Sequence, residues 1–301
     1  MNSPKRKEHG CHLSIQISHS IMEGLQTQKP LLDPSAYEHE ILKFLTTFSF
    51  DGDTPSLLHI AAVAQHFSIL PYENISKILK KSHHSYGQLF RLPDELLDDH
   101  YAWHAGGTCF SLTYLLLGIY RILGYSAEPL ICDLNWGKDN HSAVMISFAG
   151  QLFLVDPGYM IFKPLPLSGK HIQSQISAET GLSLRYDDEQ DRYSLYTFRK
   201  KNFIRRYSFQ PKPVTLETFA VYWQESFQMP GMDDLLLTRV DRYEMTFIQG
   251  DFIKITSPEA SQKFRATDRA EKLIQDRFQI PLEKVEEARY LLQQHKEHNE
   301  K

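Results

Sequence analysis

The chain has 301 residues, enough for about two domains or one large one, and its 42% hydrophobic and 23% charged residues are ordinary for a folded globular protein. A formal net charge of −4 gives no sign of a nucleic-acid-binding protein or of a polybasic membrane surface. Three cysteines are too few for a disulfide framework, and no apolar run approaches membrane-spanning length, so we expect a reducing, cytoplasmic setting without membrane or nucleic-acid partners.

Residues 1–34 are polar and mixed, and we expect them to form an extension of the folded body. From Tyr37 onward, apolar residues recur at helical spacing. The apolar face of this first predicted helix holds Ile41, Leu42, Leu45 and Phe48. A turn at 51–53 precedes a second predicted helix that ends before Pro71, and the segment PYENISKIL continues the helical pattern.

Adjacent histidines, His83 and His84, occur in the polar segment 81–100. A metal site would need further ligands at matching spacing, and none accompanies them. We therefore interpret the pair as part of a solvated turn.

A single cysteine begins a strongly apolar run in the stretch 104–124. The preceding Gly106-Gly107 pair allows backbone angles closed to other residues and suits a tight approach into a helix, with Thr108 as the candidate N-cap. Cys109 would then lie at the positive end of the helix dipole, which favours a thiolate. The next fourteen residues are apolar on nearly every face, so the helix should be buried up to Gly124. Two interpretations of Cys109 remain open here, a nucleophile or a small buried apolar residue.

After this helix the apolar period changes from 3.6 to 2 residues. The segments AEPLICDLN, SAVMISF and QLFLVDP are predicted strands, the last two joined at Ala149-Gly150. A two-residue loop there would pair Phe148 with Gln151 and bring His141 and Asp156 to the same face as diagonal neighbours. A three-residue loop would put them on opposite faces.

Each of these two residues also has a purely structural interpretation. His141 can be a strand-end histidine in water, and Asp156 can begin an Asp-Pro-Gly turn. Their shared face, together with Cys109, favours a catalytic trio instead. In that hypothesis a thiolate–imidazolium pair forms, and Asp156 fixes the imidazole tautomer and stabilises its charge.

The remaining pattern mixes strands and helices. Strands are predicted in SLYTFRKKNFIRRYSF and in EMTFIQGDFIKIT, the latter with a hairpin turn at 249–251, and a helix is predicted from near Thr215. Two final helices, roughly 267–278 and 282–297, are separated by Pro281. The order of helices, strands and a mixed region predicts an α+β chain with more than one lobe.

At this point the sequence resembles the arylamine N-acetyltransferase family. The family pattern is an ENL-type element, Arg-Gly-Gly-x-Cys, a strand histidine and Asp-x-Gly-Phe. The matching residues here are PYENI (71–75), AGGTC (105–109), His141 and DPGY (156–159). The resemblance extends over about Tyr37 to Val285.

The resemblance implies an α+β fold with an N-terminal helical bundle, a central β-barrel and a C-terminal α/β lid, in a papain-like Cys-His-Asp arrangement. The corresponding domains would be 35–125, 126–212 and 213–301, after the extension at 1–34. It also implies that Cys109, His141 and Asp156 catalyse ping-pong acetyl transfer. Acetyl-CoA would be the co-substrate, with no tightly bound cofactor or metal, and an arylamine, hydrazine or N-hydroxyarylamine would be the acceptor.

Three positions depart from the family pattern. The arginine before Gly-Gly is Ala105 here, so Glu73 needs another partner or water, and His104 is the nearest candidate. The asparagine four residues after the cysteine is Thr113. The glycine expected after DPGY is Met160, which should narrow or reshape the acceptor pocket beside the catalytic residues.

Residues that would contact substrates are less well determined. Tyr72, Tyr159 and Met160 are the candidates for the acceptor pocket, although Tyr159 can equally be an aromatic core residue. The Cys109 backbone amide is a candidate oxyanion donor. A basic strand region could meet the phosphates of coenzyme A, but we favour a solvated strand face for it. It comprises Arg199, Lys200, Lys201, Arg205 and Arg206.

Other functions use the same three residues. A transglutaminase-like enzyme or thiol hydrolase shares the trio in the same chain order, and an amide synthase would share the fold with another acyl donor. A catalytically silent binding protein is the third alternative, because the three departures allow it.

Overall fold

The structure of the chain is a computed structural model. It describes residues 32–48, 55–84, 88–169, 173–176, 181–199, 201–229, 233–241, 244–257 and 259–299. The predicted extension 1–34 falls almost entirely outside these residues, as do the turn at 51–53, Cys11 and Lys200. In the described part of the chain, no helix has both the length and the apolar character needed to cross a membrane.

Helices dominate the first part of the chain and return at its end. The α-helices of the described residues are α1 (Glu38–Leu45), α2 (Leu57–Phe67), α3 (Ile75–His83), α4 (Pro93–Trp103), α5 (Cys109–Ile122), α6 (Leu216–Glu225), α7 (Thr267–Leu273) and α8 (Leu282–Asn299). Helix α5 is buried along twelve consecutive residues and packs with α1, α2 and α4 in one apolar cluster. Its burial on every face follows from its nearly uniform apolar sequence.

Helix α1 lies where it was predicted, but one of the four residues predicted to form its apolar face is exposed. Ile41, Leu45 and Phe48 are buried, but Leu42 is 45% exposed and Phe44 is buried instead. Helix α4 was not predicted, because Asp, Glu and His residues are frequent in its sequence PDELLDDHYAW. It begins with a proline at its first position and buries Leu96 and Leu97, which is sufficient to dock it.

Thirteen strands occur in the described residues, and they form two antiparallel sheets. They are β1 (Tyr72–Glu73), β2 (Ser126–Leu134), β3 (Gly137–Phe148), β4 (Gln151–Asp156), β5 (Ile161–Pro166), β6 (Gln173–Ile176), β7 (Gly181–Asp187), β8 (Arg192–Arg199), β9 (Asn202–Phe209), β10 (Leu236–Asp241), β11 (Glu244–Gln249), β12 (Phe252–Thr256) and β13 (Ser261–Arg265). The larger, barrel-like sheet has the order β5-β4-β3-β2-β9-β8-β7-β6. The α+β fold with helices, a central sheet and a C-terminal mixed region is therefore confirmed.

The β3–β4 hairpin has the predicted register. Phe148 pairs with Gln151 and Val144 with Val155, which makes Ala149-Gly150 a two-residue loop. Both loop residues have positive φ angles, 50° for Ala149 and 75° for Gly150, as a type I′ turn requires. Val144 and Val155 join the apolar cluster around α5, so this hairpin lies against the cysteine helix.

The smaller sheet has the order β1-β10-β11-β12-β13. Its apolar residues share a second cluster with α3, α7 and α8. Short strand β1 joins the two parts of the molecule around the site, because Tyr72 pairs with Thr238 of β10 and also forms a bridge to Gly107. The PYEN segment thus ties the turn before Cys109 to the second sheet.

Candidate active site

Cys109 is the first residue of α5, and its side chain is almost buried at 8% relative exposure. Thr108 occupies the N-cap position with extended backbone angles, as predicted. Its hydroxyl makes no capping hydrogen bond, however, so the predicted side-chain cap is wrong. Instead the Thr108 carbonyl accepts hydrogen bonds from the Leu112 amide at 3.0 Å and the Ser111 hydroxyl at 3.1 Å.

The two glycines before Cys109 are required for close packing and not for unusual backbone angles. Neither has a positive φ. A Cβ on Gly106 would lie 1.8 Å from the carbonyl oxygen of Pro71, and one on Gly107 would lie 2.3 Å from the Ser111 hydroxyl. Backbone contacts between these segments, such as Gly107 N to Pro71 O at 3.3 Å, fix the start of the cysteine helix.

His141 and Asp156 meet as the hairpin register predicted. His141 Nε2 donates to Asp156 Oδ2 at 2.8 Å, with the two side chains 4% and 0% exposed. The other carboxylate oxygen, Oδ1, accepts from the backbone amides of Gly158 at 2.8 Å and Tyr159 at 3.1 Å. Asp156 therefore begins a turn and hydrogen-bonds to the histidine at the same time, and its catalytic role stays a prediction.

The three predicted catalytic side chains converge at Gly158. A Cβ built there would lie 2.9 Å from His141 Cε1, 3.2 Å from Cys109 Cβ and 3.3 Å from Asp156 Oδ1. The His141 ring is close enough to Cys109 for the sulfur to contribute to its raised pKa. Because its Nε2 is bound to Asp156, Nδ1 is the ring nitrogen that remains for the sulfur.

The environment of His141 favours its protonated form. Burial acts against the charge, but the Asp156 carboxylate and the contact with Cys109 outweigh it and raise the pKa of His141 from 6.5 to about 10. The rings of Tyr159 and Tyr207 pack against the imidazole, with centroids 5.1 and 4.8 Å from it. These contacts restrict rotation of the imidazole ring.

Glu73 does have a cationic partner, but it is Arg91 and not the predicted His104. Arg91 Nη1 lies 3.9 Å from Glu73 Oε1, and both side chains are buried at 2% and 0% exposure. The same Nη1 donates to the Gly106 carbonyl at 2.7 Å, while Glu73 Oε1 accepts from the Gly106 amide at 3.3 Å. Ser76 completes the network by bonding to both side chains. A guanidinium from a different part of the chain thus stabilises the turn before Cys109.

Thr113, which stands where the family pattern has asparagine, also has a definite contact. Its buried hydroxyl donates to the Ser142 carbonyl at 3.1 Å. This bond connects α5 to the residue that follows His141 in β3. It therefore helps to fix the distance between the cysteine helix and the histidine strand.

A cavity of about 580 Å³ opens onto Cys109 and His141. The three predicted pocket residues, Tyr72, Tyr159 and Met160, all line it. Burial raises the pKa of both tyrosines, so they are neutral hydrogen-bond donors. Met160 has a φ of 54°, which favours glycine, and its side chain is only 7% exposed in the cavity wall, as expected for a residue that narrows the pocket.

Sequence reasoning missed several polar residues of this cavity. Lys77 of α3 and Lys254 of β12 line it, and so does Trp136 between β2 and β3. In the basic strand region, Arg206 lines the cavity, whereas Arg205 and Lys201 are exposed, as the solvated-face interpretation expects. One signal was available for Lys77, which lies between Ile75 and Ile78 shortly after the PYEN motif.

The described residues contain no group of histidine, cysteine and acidic side chains that could hold a metal ion. The exposed His83 contacts Glu287 at 3.1 Å. Cys132 is a buried cysteine with a free thiol. Its position in β2 lies opposite that of His141 in β3.

The N-acetyltransferase family model matches residues 56–287 of the chain. The fold is similar to the arylamine N-acetyltransferase of Mycobacterium tuberculosis, with a TM-score of 0.66 and 19% identity over 84% of this chain and 96% of that chain. For the Mycobacterium abscessus enzyme the TM-score is 0.69, with 14% identity over 84% and 93% of the two chains. A Bacillus cereus arylamine N-acetyltransferase with a Cys-His-Glu catalytic triad has a TM-score of 0.62 and 16% identity over 81% and 98%. A comparison with curated proteins finds no match.

These likenesses show the fold, and the family model covers most of the chain from α2 to the beginning of α8. The chain therefore belongs to the arylamine N-acetyltransferase family of transferase enzymes.

Proposed function

We propose that this enzyme transfers an acetyl group from acetyl-CoA through a Cys109 thioester to an arylamine, hydrazine or N-hydroxyarylamine. The convergence of Cys109, His141 and Asp156 on one point beside Gly158 carries the proposal. A nucleophile, a base and a group that orients the base are the components that covalent acyl transfer needs.

In the first half-reaction, the Cys109 thiolate attacks the thioester carbonyl of acetyl-CoA. The bond between the acetyl carbon and the coenzyme A sulfur breaks, and the departing sulfur takes the proton from the His141 imidazolium. This leaves an acetylated Cys109, free coenzyme A and a neutral imidazole. The raised pKa of His141 supports the protonated starting state at neutral pH.

In the second half-reaction, the amine nitrogen attacks the acetyl carbonyl on Cys109. Neutral His141 accepts the proton that the amine loses, and the Cys109 thiolate leaves, which restores the thiolate–imidazolium pair. Asp156 holds Nε2 through both steps, so Nδ1 stays directed at the reacting atoms. The Cys109 backbone amide, at the start of a buried helix, is our candidate donor to the oxyanion that forms in each step.

The residues that line the cavity support the binding of both proposed substrates. Its aromatic and apolar lining suits a small aromatic amine, and Met160 limits the size of the ring. Arg206 and Lys254 are cationic residues of the wall that suit the phosphates of coenzyme A. The mechanism uses no bound cofactor or metal, and the cytoplasmic location stays a prediction.

The test is direct acylation. We expect wild-type protein mixed with acetyl-CoA alone to release one coenzyme A per chain and to gain the mass of one acetyl group on Cys109. Cys109→Ala should do neither. Cys132→Ala is the matched control, because it removes the other cysteine of the described residues and should still be acylated.

Addition of an arylamine should then remove the acetyl group and yield the amide. A wild-type protein that stays unmodified by acetyl-CoA would overturn the proposal. Acylation by a glutamine peptide or another acyl donor would replace it with the transglutaminase-like or amide synthase alternative.

A further inference from the structure

Lys77 is a buried cation beside the candidate active site. It lies in α3 between residues that belong to the apolar cluster of the second sheet, and its side chain is only 6% exposed. It nevertheless lines the cavity onto which Cys109 and His141 open. The charges of Lys77 and Cys109 are close enough to interact.

The ammonium group of Lys77 is held in a fixed position. Nζ donates to the backbone carbonyl of Ser226 and to its hydroxyl, both at 2.8 Å. It also stands 4.4 Å from the centroid of the Phe227 ring. Two of its three N–H donors are used in this way. The group is therefore pre-organised, with one donor left for a molecule in the cavity.

No carboxylate of the described residues lies within 4 Å of Lys77, although a buried charge ordinarily has an ionic partner. Burial lowers its pKa to about 8, which still leaves it mainly protonated at neutral pH. The described residues that line the cavity include Lys77, Arg206 and Lys254 but no aspartate or glutamate. Among the described residues of this lining, Lys77 therefore faces no acidic side chain of the protein.

We propose that Lys77 binds a carboxylate of the substrate that reacts at Cys109, carried on the acceptor ring or on the acyl group. The inference rests on the proposed function for the identity of the reacting partners. The phosphates of coenzyme A do not fit this role, because the pantetheine arm separates them from the sulfur that meets Cys109. A carboxylate is the anion that matches one remaining ammonium donor on a fixed, buried side chain.

The possibility that the acceptor carries the carboxylate is tested by binding measurements, without catalysis. Isothermal titration calorimetry would compare 4-aminobenzoate with 4-aminobenzamide, which has the same shape but no charge. We expect wild type to prefer the benzoate, and Lys77→Met to reduce that preference about tenfold or more. Lys81→Met, one turn further along α3 and outside the lining of this cavity, removes the same charge and should keep the preference.

The possibility that the acyl group carries the carboxylate is tested by the rate of Cys109 acylation. Malonyl-CoA differs from acetyl-CoA by one carboxylate, so the ratio of the two rates isolates its recognition. A tenfold or larger fall in this ratio in Lys77→Met would assign the carboxylate to the acyl group. A fall in the aminobenzoate preference alone would assign it to the acceptor.

Two further variants separate recognition from structure. Lys77→Arg keeps the charge and should retain whichever preference wild type shows, and Lys77→Gln serves as the neutral variant should Lys77→Met not fold. A wild type without preference in either arm, or a preference that survives loss of the lysine charge, would overturn the inference. If wild type is not acylated by acetyl-CoA but Lys77-dependent benzoate binding persists, the proposed function fails and the carboxylate site stands.

Discussion

Substitution of Gly158 by alanine tests whether the catalytic geometry depends on the contacts at this position. The added Cβ would lie 2.9 Å from His141 Cε1, whereas ordinary contacts of a Cβ begin at 3.4 Å. The imidazole or the turn therefore has to move by about half an ångström. Gly158 does not have a positive φ, so the effect comes from this contact and not from the backbone.

The substitution should reduce both the stability of the protein and the rate of Cys109 acylation. Overpacking of this kind lowers the free energy of unfolding by about 1–3 kcal/mol. Because a misplacement of about 1 Å costs roughly a hundredfold in rate, a shift of half that size predicts about a tenfold slower acylation of Cys109. The hydrogen bond from His141 to Asp156 should also lengthen from its present 2.8 Å.

The assay is the pre-steady-state release of coenzyme A from acetyl-CoA, paired with chemical denaturation. Gly150→Ala is the matched control, because its φ of 75° strains an alanine while no atom lies within 4 Å of the new Cβ. It should lose about 1 kcal/mol of stability and keep its acylation rate. If Gly158→Ala is acylated as fast as wild type, the contacts we describe do not set the catalytic geometry.

Three further predictions concern the residues around the site. Arg91→Met should lower the free energy of unfolding by about 3–5 kcal/mol in denaturant titrations, since it leaves Glu73 as a buried charge. Loss of the half-exposed ion pair between Arg121 and Glu128 should lower it by only about 1 kcal/mol. Equal losses from the two changes would contradict this prediction. Thr113→Val should cost about 1 kcal/mol through its lost hydrogen bond, and an unchanged unfolding midpoint would show that this bond contributes nothing. A protonated His141 contributes stability that is complete below pH 6.5 and lost as the pH rises toward 10. The stability of wild type relative to His141→Gln should accordingly decrease by a few kcal/mol from pH 7 to pH 10, and an increase would refute this sign.

The positions of the proposed catalytic residues were predictable because local rules determine them. A two-residue loop and the period of two along a strand fix which residues of a hairpin share a face, so His141 and Asp156 could be brought together from sequence alone. The cysteine helix was predictable because its sequence is apolar over fourteen residues. The domain boundaries at 34, 125 and 212 stay a prediction.

The residues that sequence reasoning missed are those whose role depends on contacts distant in the chain. Arg91 reaches Glu73 across eighteen positions, and no periodic pattern marks that pairing. No prediction was made for Lys77, because only the fold shows that it contacts Ser226, far along the chain. Strand β5 carries two prolines and pairs with β4 across an irregular register, so its pattern does not alternate clearly.

The carboxylate of Asp156 divides its two oxygens between the histidine and the turn that leads to Tyr159 and Met160. Asp156 consequently supports both the proposed base and one wall of the proposed acceptor pocket. A chemical change at Asp156, such as amidation to asparagine, would disturb turnover and acceptor choice together. If the proposed function holds, substitution of the side chains of that wall should alter acceptor specificity more readily than changes to its backbone, because the backbone is hydrogen-bonded to the proposed catalytic aspartate.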